Sequence, residues 1–541
     1  MAYEKVWANN ENLNKVELKK LEKDGLDILN DIDTFAKNGF ASIPEEEWDL
    51  LKFAGLYLQR PKKDGYFMMR VKVPTGILNN DQIVALAGIS RDFGRNLFDI
   101  TTRQAIQFHW LEIENVPEIY KRLEEVGLTT VGACGDIARN IIGNPLAGID
   151  PDELIDTVPI VQEVHKFFHK NKDFSNLPRK YKISISGSLY NSGHAQINDL
   201  AFTPATKVID GELVKGFHVK VGGGLSSKPY LAQLLNIFVT PDKVKDVAIA
   251  VTTIFRDYGY REKRHRARLK FLVADWGVEK FQEKLLELTG PLPEKGNDEI
   301  KGWNAGYFYG VHPQKQKGLN YIGFNVPLGR LYADEVFEIA RISQKYGNGQ
   351  IRTCNSQNFV IPNVPDNQVE ALLSEEIFQK GRITIKPKSF VGYAVSCTGT
   401  EFCNLALVET KERMKTIVEY LDKELELDVP IRMHITGCPN SCGQRHIADI
   451  GLQGVLMRTK DKKMVDAYEI HVGGTLLEGG RFNDKLKGKI EAEKLHFVLK
   501  EFLQYFKETK LPGETFLEYY NRVGIEALQT KLDEILAPLG A

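Results

Sequence analysis

The chain has 541 residues, of which 43% are hydrophobic and 26% are charged, and its formal net charge is −1. These values are those of a large globular protein with roughly three or four domains, and the net charge argues against a general nucleic-acid binder. Six cysteines in 541 residues exclude a disulfide framework. No apolar run is long enough to span a membrane, and the charged first residues predict no signal peptide. We therefore expect a cytoplasmic monomer.

The first 50 residues are polar and charged, with little hydrophobic repetition. They are predicted to form an extension that wraps the body. Further along, several segments alternate apolar with polar residues and are rich in β-branched types, which predicts half-buried strands. These segments are Tyr66–Val73, Ile106–Ile113 and Lys182–Ser186. Helical periodicity is found within 80–120 and 333–346. The fold is therefore predicted to be α+β.

The second half of the chain repeats the first at an offset of about 250 residues. Five segments match in the same order, which predicts an internally duplicated molecule with pseudo-two-fold symmetry. The matches are Met68–Gly76 with Tyr321–Gly329, Thr101–Phe108 with Arg352–Phe359, Ile183–Ser188 with Met433–Cys438, Ile197–Phe202 with Ile447–Leu452, and His218–Gly224 with Glu469–Thr475. The stretch 291–298 is predicted to link the halves.

The first half carries cations at its predicted loop ends and strands: Arg70, Arg103, Arg139, Lys180 and Lys182. Lys180 and Lys182 are two apart on a predicted strand and should project to one face. Any one of these residues alone could be a solvated surface charge. Because mutually repelling cations need compensation, several at equivalent ends of a duplicated fold predict a site for an anion.

The second half carries two cysteine pairs, in S-C-T-G-T-E-F-C-N and G-C-P-N-S-C-G-Q. Structural zinc sites usually have shorter gaps between paired ligands, whereas a four-iron cluster takes four cysteines at looser spacing. The pattern favours an iron–sulfur cluster, with a zinc site and unrelated buried thiols as alternatives. The cysteines are Cys397, Cys403, Cys438 and Cys442. Cys438 stands where Ser188 stands in the first copy, so the two copies have specialised.

These motifs, together with N-P-L-A-G-I-D-P (Asn144–Pro151), T-T-R-Q-x-x-Q-F and L-P-R-K, resemble the sirohaem-containing sulfite and nitrite reductases. The similarity runs from about residue 50 to about residue 520. It implies ferredoxin-like α/β sandwich half-domains, two larger α+β sirohaem-binding domains, and ferredoxin as the electron donor. The expected division is an extension (1–50), a first half-domain (51–127), a first sirohaem and substrate-anion domain (128–298), a second half-domain (299–385) and a [4Fe–4S] and sirohaem domain (386–541).

The resemblance also implies roles for individual residues. The four cysteines would hold a [4Fe–4S] cluster, and Cys442 would also bind the sirohaem iron. Arg103, Gln107 and His109 match positions that contact the cofactor. The remaining cations match positions that grip the oxyanion: Arg70, Arg139, Lys180 and Lys182. The eight carboxylates of sirohaem would account for part of the basic array.

The substrate is either sulfite or nitrite. Sulfite reductases of the family tend to have a second lysine two residues after the first, as in Lys180-Tyr181-Lys182, whereas nitrite reductases tend to have asparagine there. Other segments, such as Asn144–Pro151, read more like the nitrite branch. We expect sulfite, because function depends on the site more than on the scaffold. A non-catalytic, redox-sensing iron–sulfur protein is the alternative from another class.

Three smaller expectations concern the remaining features. Cys354 is expected to be a buried filler, and Cys134 is expected near the anion pocket, where some family members join a tyrosine to a cysteine. Tyr57 is the possible partner. No G-x-G-x-x-G motif opens a nucleotide-binding unit, so electrons come from outside. The basic run 261–268 is expected to dock an acidic ferredoxin.

Overall fold

The computed structural model describes residues 6–459 and 461–539. The described chain contains three large apolar cores. One is shared by residues from the N-terminal segment and from both predicted half-domains. The other two belong to the larger predicted domains, one on each side of the duplication. The predicted α+β class and the duplication are both present.

The N-terminal segment lies along the body, and it is also part of the core. Its helices are α1 (Lys15–Glu22) and α2 (Ile32–Asn38). Leu26, Ile28 and Phe35 are buried in the core shared with the half-domains. The sequence suggested little hydrophobic repetition here because short 3-10 turns, such as Gly25–Asn30, break the helical period.

The next segment forms a sheet packed by helices. Its elements are β1 (Leu56–Leu58), β2 (Phe67–Val71), β3 (Ile77–Leu78), α3 (Asn80–Phe93), β4 (Leu97–Ile100), β5 (Ile106–Leu111) and α4 (Val116–Glu125). A larger sheet domain follows, made of α5 (Val158–Phe168), β6 (Ile183–Ile185), β7 (Leu200–Ile209), β8 (Glu212–Val221), β9 (Gln233–Val239), α6 (Val244–Tyr258), α7 (Leu269–Trp276) and α8 (Val278–Thr289). The end of the predicted linker forms β10 (Asn297–Asp298), which pairs with β7.

The second half repeats this order. Its half-domain contains β11 (Gly310–Pro313), β12 (Leu319–Phe324), β13 (Arg330–Tyr332), α9 (Ala333–Tyr346), β14 (Ile351–Thr353), β15 (Phe359–Pro365), α10 (Val369–Leu373) and α11 (Glu376–Gln379). Its large domain contains β16 (Ala394–Ser396), α12 (Gly399–Phe402), α13 (Lys411–Glu424), β17 (Met433–Thr436), β18 (Ile450–Arg458), β19 (Met464–Val472), β20 (Asp484–Lys485), β21 (Ile490–Glu491), α14 (Leu495–Thr509) and α15 (Phe516–Leu536). Within the described ranges, no helix combines the length and apolarity needed to cross a bilayer.

The two half-domains exchange an edge strand. The first sheet has the order β1-β2-β5-β4-β13, and the second has the order β11-β12-β15-β14-β3. Strand β13 of the second half therefore completes the first sheet, and β3 of the first half completes the second. Because each sheet needs a strand from the other half, the half-domains form one structural unit.

The duplication extends to individual backbone conformations. Thr75 and Leu328 are both left-handed, with φ of 56° and 54°, and so are Gln104 and Gln357, with φ of 58° and 66°. The structure therefore corrects one sequence match, because Gln104 corresponds to Gln357 and β5 is shifted by two residues against the match proposed above. Apolar alternation in a strand repeats every two residues, so this slip leaves every side chain on its predicted face.

Candidate active site

The four cysteines come together from two loops of the second large domain. Cys397 follows β16, Cys403 follows α12, and the other two follow β17. All four are free thiols. The sulfur of Cys397 accepts a hydrogen bond from the backbone N–H of Gly437 at 3.2 Å. Burial, and then Cys442, raises the pKa of Cys403 to about 11. The two loops thus place four sulfurs within electrostatic reach of one another.

The arrangement of these thiols differs from that of a single-ion site. Across residues 6–459 and 461–539, no three His, Cys, Asp or Glu side chains are arranged to hold one metal ion. A four-iron cluster takes one thiolate at each iron, so its ligands are spread more widely than those of a tetrahedral zinc. Four uncrosslinked cysteines on facing loops suit the cluster.

The first half has an equivalent pair of loops, which the strand register identifies. Val395 pairs in parallel with His434, and Ile142 forms a parallel bridge with Ser184. Ser184 and His434 are equivalent in the sequence repeat. Ile142 is therefore the counterpart of Val395, and the loop that follows Ile142 is the counterpart of the first cysteine loop.

With this register, the counterparts of the four cysteines are Asn144, Asp150, Ser188 and Ser192. The first copy replaces a cluster with hydrogen bonds between side chains. The amide of Asn144 donates to Asp150 Oδ2 at 2.5 Å, and the hydroxyl of Ser188 donates to the same oxygen at 3.1 Å. The spacing N-x5-D with S-x3-S in the first copy equals the spacing C-x5-C with C-x3-C in the second. This equality is visible in the sequence and could have identified the four counterparts.

A loop of the first half reaches across to Cys442. The hydroxyl of Thr102, in T-T-R-Q, donates to the backbone oxygen of Cys442 at 3.1 Å. The side-chain amide of Gln444 donates back to the Thr102 oxygen at 3.3 Å. Two hydrogen bonds in opposite directions fix these loops against each other. The predicted cofactor residue Arg103, next to Thr102, is thereby placed beside the second cysteine pair.

Three cations of the first half lie within electrostatic reach of Cys442. Burial lowers the pKa of Lys180 to about 7, Arg268 contributes to the lowering, and Cys442 opposes it. Burial, Arg103 and Lys180 lower the pKa of Lys182 well below its ordinary value, again against Cys442. Arg70 also interacts with Cys442. Lys180, Lys182 and Arg70, from the first half, are therefore close to the last cysteine of the second half.

Two of the arginines are held in place by backbone oxygens. Arg103 donates to the Asn140 oxygen at 2.8 Å and to the Asn198 side chain at 2.7 Å. Arg139 donates from Nε to the Gly135 oxygen at 2.9 Å. Neutral acceptors fix a guanidinium without cancelling its charge. Both guanidinium groups are thus held by neutral atoms, which leaves their charge available to an anion.

These cations have no carboxylate partners. In the described ranges, no carboxylate oxygen lies within 4.0 Å of a charged nitrogen of Arg70, Arg103, Arg139, Lys180 or Lys182. The buried Nε atoms of Arg70 and Arg103 have no hydrogen-bond partner. Elsewhere in the same domain a buried arginine is paired, since Arg268 meets Asp199 at 2.8 Å. Cations that are at least half-buried, lack an ion-pair partner and have unused donors fit a polycarboxylate cofactor and a small anion.

The two other predicted cofactor residues lie at different depths. Gln107 accepts a hydrogen bond from Arg70 at 2.6 Å, so it is positioned at the edge of the cationic group. His109 is fully buried, bonded to Asp99 at 3.0 Å and stacked on Phe402, with 3.7 Å between ring centroids. The histidine is therefore held between Asp99 and Phe402. It supports the residue that precedes Cys403, and direct contact with a cofactor stays a prediction.

Tyr57 and Cys134 lie side by side. Burial, and then Cys134, raises the pKa of Tyr57 to about 12. The guanidinium of Arg70 lies 5.8 Å from the centre of the Tyr57 ring. The covalent link between these two residues stays a prediction. Cys354 is buried in a small apolar cluster, as expected of a filler.

The basic run 261–268, which the sequence suggested as a docking surface, is only partly exposed. Arg261 is 1% exposed and bonded to Glu17. Arg264 pairs with Asp136, and Arg268 pairs with Asp199. Three of the five Lys and Arg side chains in the run pair with internal carboxylates, whereas Lys263 and Arg266 are exposed, so docking of ferredoxin on this run stays a prediction. A periodic charged segment cannot reveal carboxylates that come from distant parts of the chain.

Sequence reasoning missed one buried cation beside the site. Lys72 is 3% exposed and donates to the Ala138 oxygen at 3.2 Å. Burial, and then Arg139, lowers its pKa to about 7. Lys72 is two residues after Arg70, and the alternation used for Lys180 and Lys182 would have found it.

Two family models match most of the chain. The model described as "Nitrite and sulphite reductase 4Fe-4S domain" matches residues 134–291 and 389–537. The model described as "Nitrite/Sulfite reductase ferredoxin-like half domain" matches residues 59–126 and 312–376. Each model matches twice, once in each half, and so reproduces the duplication. The predicted fold class and iron–sulfur cluster are confirmed.

Several relatives match over nearly the whole chain. The chain is 42% identical to a ferredoxin–nitrite reductase of Synechococcus elongatus, over 92% of this chain and 97% of the relative. It is 37% identical to sulfite reductase [ferredoxin] 1 of Mycolicibacterium paratuberculosis, over 97% of this chain and 98% of the relative. The solved NirA protein of Mycobacterium tuberculosis superposes with a TM-score of 0.91 at 35% identity, over 97% of this chain and 99% of that one. The chain belongs to the nitrite and sulfite reductase family, with sirohaem and a [4Fe–4S] cluster as its cofactors.

Proposed function

We propose that the protein reduces sulfite to sulfide with electrons from ferredoxin. One observation carries this proposal: Lys180 and Lys182 are half-buried without an ion-pair partner in the described ranges, and both lie within electrostatic reach of Cys442. In this proposal, Cys397, Cys403, Cys438 and Cys442 hold the cluster, and Cys442 is shared with the sirohaem. Sulfite binds on the side of the cations, where two lysines suit a dianion better than one would.

The bound cofactors supply the electron transfer, and the protein supplies binding, orientation and protons. A guanidinium is a permanent cation in proteins, so in this proposal Arg70 and Arg139 hold the anion electrostatically. Lys180 has a pKa of about 7, so it can give a proton to a departing oxygen and take up another near neutral pH. The pKa of Lys182 is also lowered, so this lysine is suited to the same role. The arginines therefore position the anion and the lysines deliver protons.

Nitrite is the second candidate substrate. The 42% identity to a relative named ferredoxin–nitrite reductase favours it. A relative named sulfite reductase [ferredoxin] is nearly as similar, at 37%. Overall identity follows the scaffold, which the two activities share, and so it weighs less than the pair of lysines at the site.

Turnover with one electron donor tests the proposal. We expect the purified protein, supplied with reduced ferredoxin, to have a kcat/KM for sulfite about tenfold or more above that for nitrite, since each 1.4 kcal/mol of differential binding is tenfold. The reverse ratio would make the protein a nitrite reductase. A protein without visible sirohaem absorption and acid-labile sulfide would instead favour the redox-sensing alternative.

We place the donor's docking surface beside the Cys403 loop. Leu405 and Leu407 are 68% and 42% exposed next to Cys403. Arg60 is tied to this loop, since its backbone N–H donates to the Phe402 oxygen at 3.0 Å. Two exposed lysines, 62 and 63, follow Arg60. An apolar patch bordered by cations suits a small acidic donor that must approach the cluster.

The double variant Lys62→Gln/Lys63→Gln tests this surface. We expect KM for ferredoxin to rise about fivefold at low ionic strength, because charges at the rim steer association. Turnover with a small chemical reductant should stay at the wild-type level. The matched control is Lys462→Gln/Lys463→Gln, another exposed adjacent pair, in the turn between β18 and β19. Equal KM values in the two double variants would exclude the proposed surface.

A further inference from the structure

A buried group of charged side chains joins the N-terminal segment to the first large domain. Glu17 and Lys20, both on α1, are fully buried. The ammonium of Lys20 has three acceptors: Glu17 Oε1 at 2.6 Å, Asp136 Oδ2 at 2.9 Å and the Leu177 oxygen at 2.9 Å. An ammonium has three N–H donors, so each donor of Lys20 is used. The side chain thus connects α1 to two separate segments of the large domain.

Asp136 is the centre of this group. Besides the bond from Lys20, its carboxylate accepts a hydrogen bond from each terminal nitrogen of Arg264, at 2.8 and 3.0 Å. One terminal nitrogen of Arg179 lies 3.4 Å from Asp136 Oδ1. Burial opposes ionisation, but Lys20 and Arg264 together hold the pKa of Asp136 well below its ordinary value. Asp136 is therefore ionised at every relevant pH, and its cations hold it from several directions.

The two segments that Lys20 joins are those that lead to the anion pocket. Asp136 lies three residues before Arg139, and Leu177 lies three residues before Lys180. The backbone N–H of Leu177 donates to the Asp136 oxygen at 2.9 Å, and that of Arg139 donates to the Tyr181 oxygen at 2.9 Å. The relative position of Arg139 and Lys180 thus depends on these two backbone hydrogen bonds between the segments 136–139 and 177–181. Lys20 binds both segments at their first residues, Asp136 and Leu177.

We propose that Lys20 is a positioning residue for the anion pocket, acting from the N-terminal helix through Asp136 and the Leu177 carbonyl. This inference rests on the proposed function, because it assumes that Arg139 and Lys180 bind the anion. Cations brought close together repel one another and would spread apart without support. A buried, fully bonded ammonium beneath both loops opposes that spreading at a place where substrate cannot reach.

The test compares an anionic with a neutral ligand in the purified holoenzyme. We expect Lys20→Met to raise the Kd for sulfite about tenfold, because small displacements of binding groups carry penalties of this order or more. The Kd for carbon monoxide, measured on the reduced protein from the visible spectrum, should stay unchanged, because a neutral ligand does not need the cations. The matched control is Lys19→Met: the neighbouring lysine is half-buried and bonded only to the Glu46 oxygen at 2.8 Å.

Each outcome decides the inference. The inference is overturned if Lys20→Met leaves the Kd for sulfite unchanged. It is also overturned if the variant loses affinity for sulfite and for carbon monoxide equally. If Lys182→Asn weakens sulfite and Lys20→Met does not, the proposed function stands and only this inference fails. If neither variant affects sulfite, both fail. Should Lys20→Met not accumulate as holoenzyme, Arg264→Met gives the same test, since it removes the bidentate partner of Asp136 from a half-exposed position.

Discussion

The variant Cys442→Ser should lose more than about a hundredfold in sulfite turnover, because even the groups that support a metal ligand cost 10- to 100-fold when they are removed. In the proposed role the thiolate of Cys442 serves two cofactors, and a serine hydroxyl cannot replace it. We expect both acid-labile sulfide and sirohaem absorption to fall in the same preparation. Sulfide analysis and the visible spectrum of the purified variant measure the two losses independently.

Cys354→Ala is the matched control for this change. Cys354 is as buried as a core residue, at 1% exposure, and lies in a small apolar cluster. We expect its removal to leave both cofactors in place. Full cofactor content in Cys442→Ser, or equal cofactor loss in the two variants, would contradict the role of Cys442.

The variant Lys182→Asn should lower kcat/KM for sulfite about a hundredfold, the usual cost of removing one group that stabilises developing charge. The decrease in kcat/KM for nitrite should be smaller, since a monoanion interacts less strongly with each cation than a dianion does. The ratio of the two kcat/KM values should therefore move towards nitrite. Steady-state turnover of both anions with the same reduced donor measures this ratio.

Lys220→Asn provides the comparison. Lys220 is another half-buried lysine of the first large domain, on β8, and its charged neighbour is Asp298. We expect it to leave the ratio of sulfite to nitrite turnover unchanged. If Lys182→Asn leaves sulfite turnover unchanged, the reason for preferring sulfite is lost.

The sequence predicted the fold class and the duplication because both depend on local patterns. Alternation identified β2 and β6, and the five repeated segments identified the symmetry. The sequence did not reveal that β3 and β13 change places between the sheets. Each is only two or three residues long, too short for a periodic pattern, and its pairing partner lies in the other half of the chain.

The site, too, was predicted where it depends on local patterns and not where it depends on contacts between distant residues. The cysteines and the cations stand in recognisable motifs, so they could be named from the sequence. The burial of much of the run 261–268 could not be predicted, because its partners Asp136 and Asp199 are distant in sequence. A buried ion pair and a solvated charge look alike in a sequence, and only the fold distinguishes them.

The central claim is that the cations of the first half and the cysteines of the second half meet at one sulfur, that of Cys442. The most direct measurement is the Mössbauer spectrum of the protein enriched in ⁵⁷Fe. If the thiolate of Cys442 joins the cluster to the sirohaem iron, the cluster irons should show magnetic splitting that originates from the haem iron. A non-magnetic cluster signal beside an independent haem signal would contradict the claim.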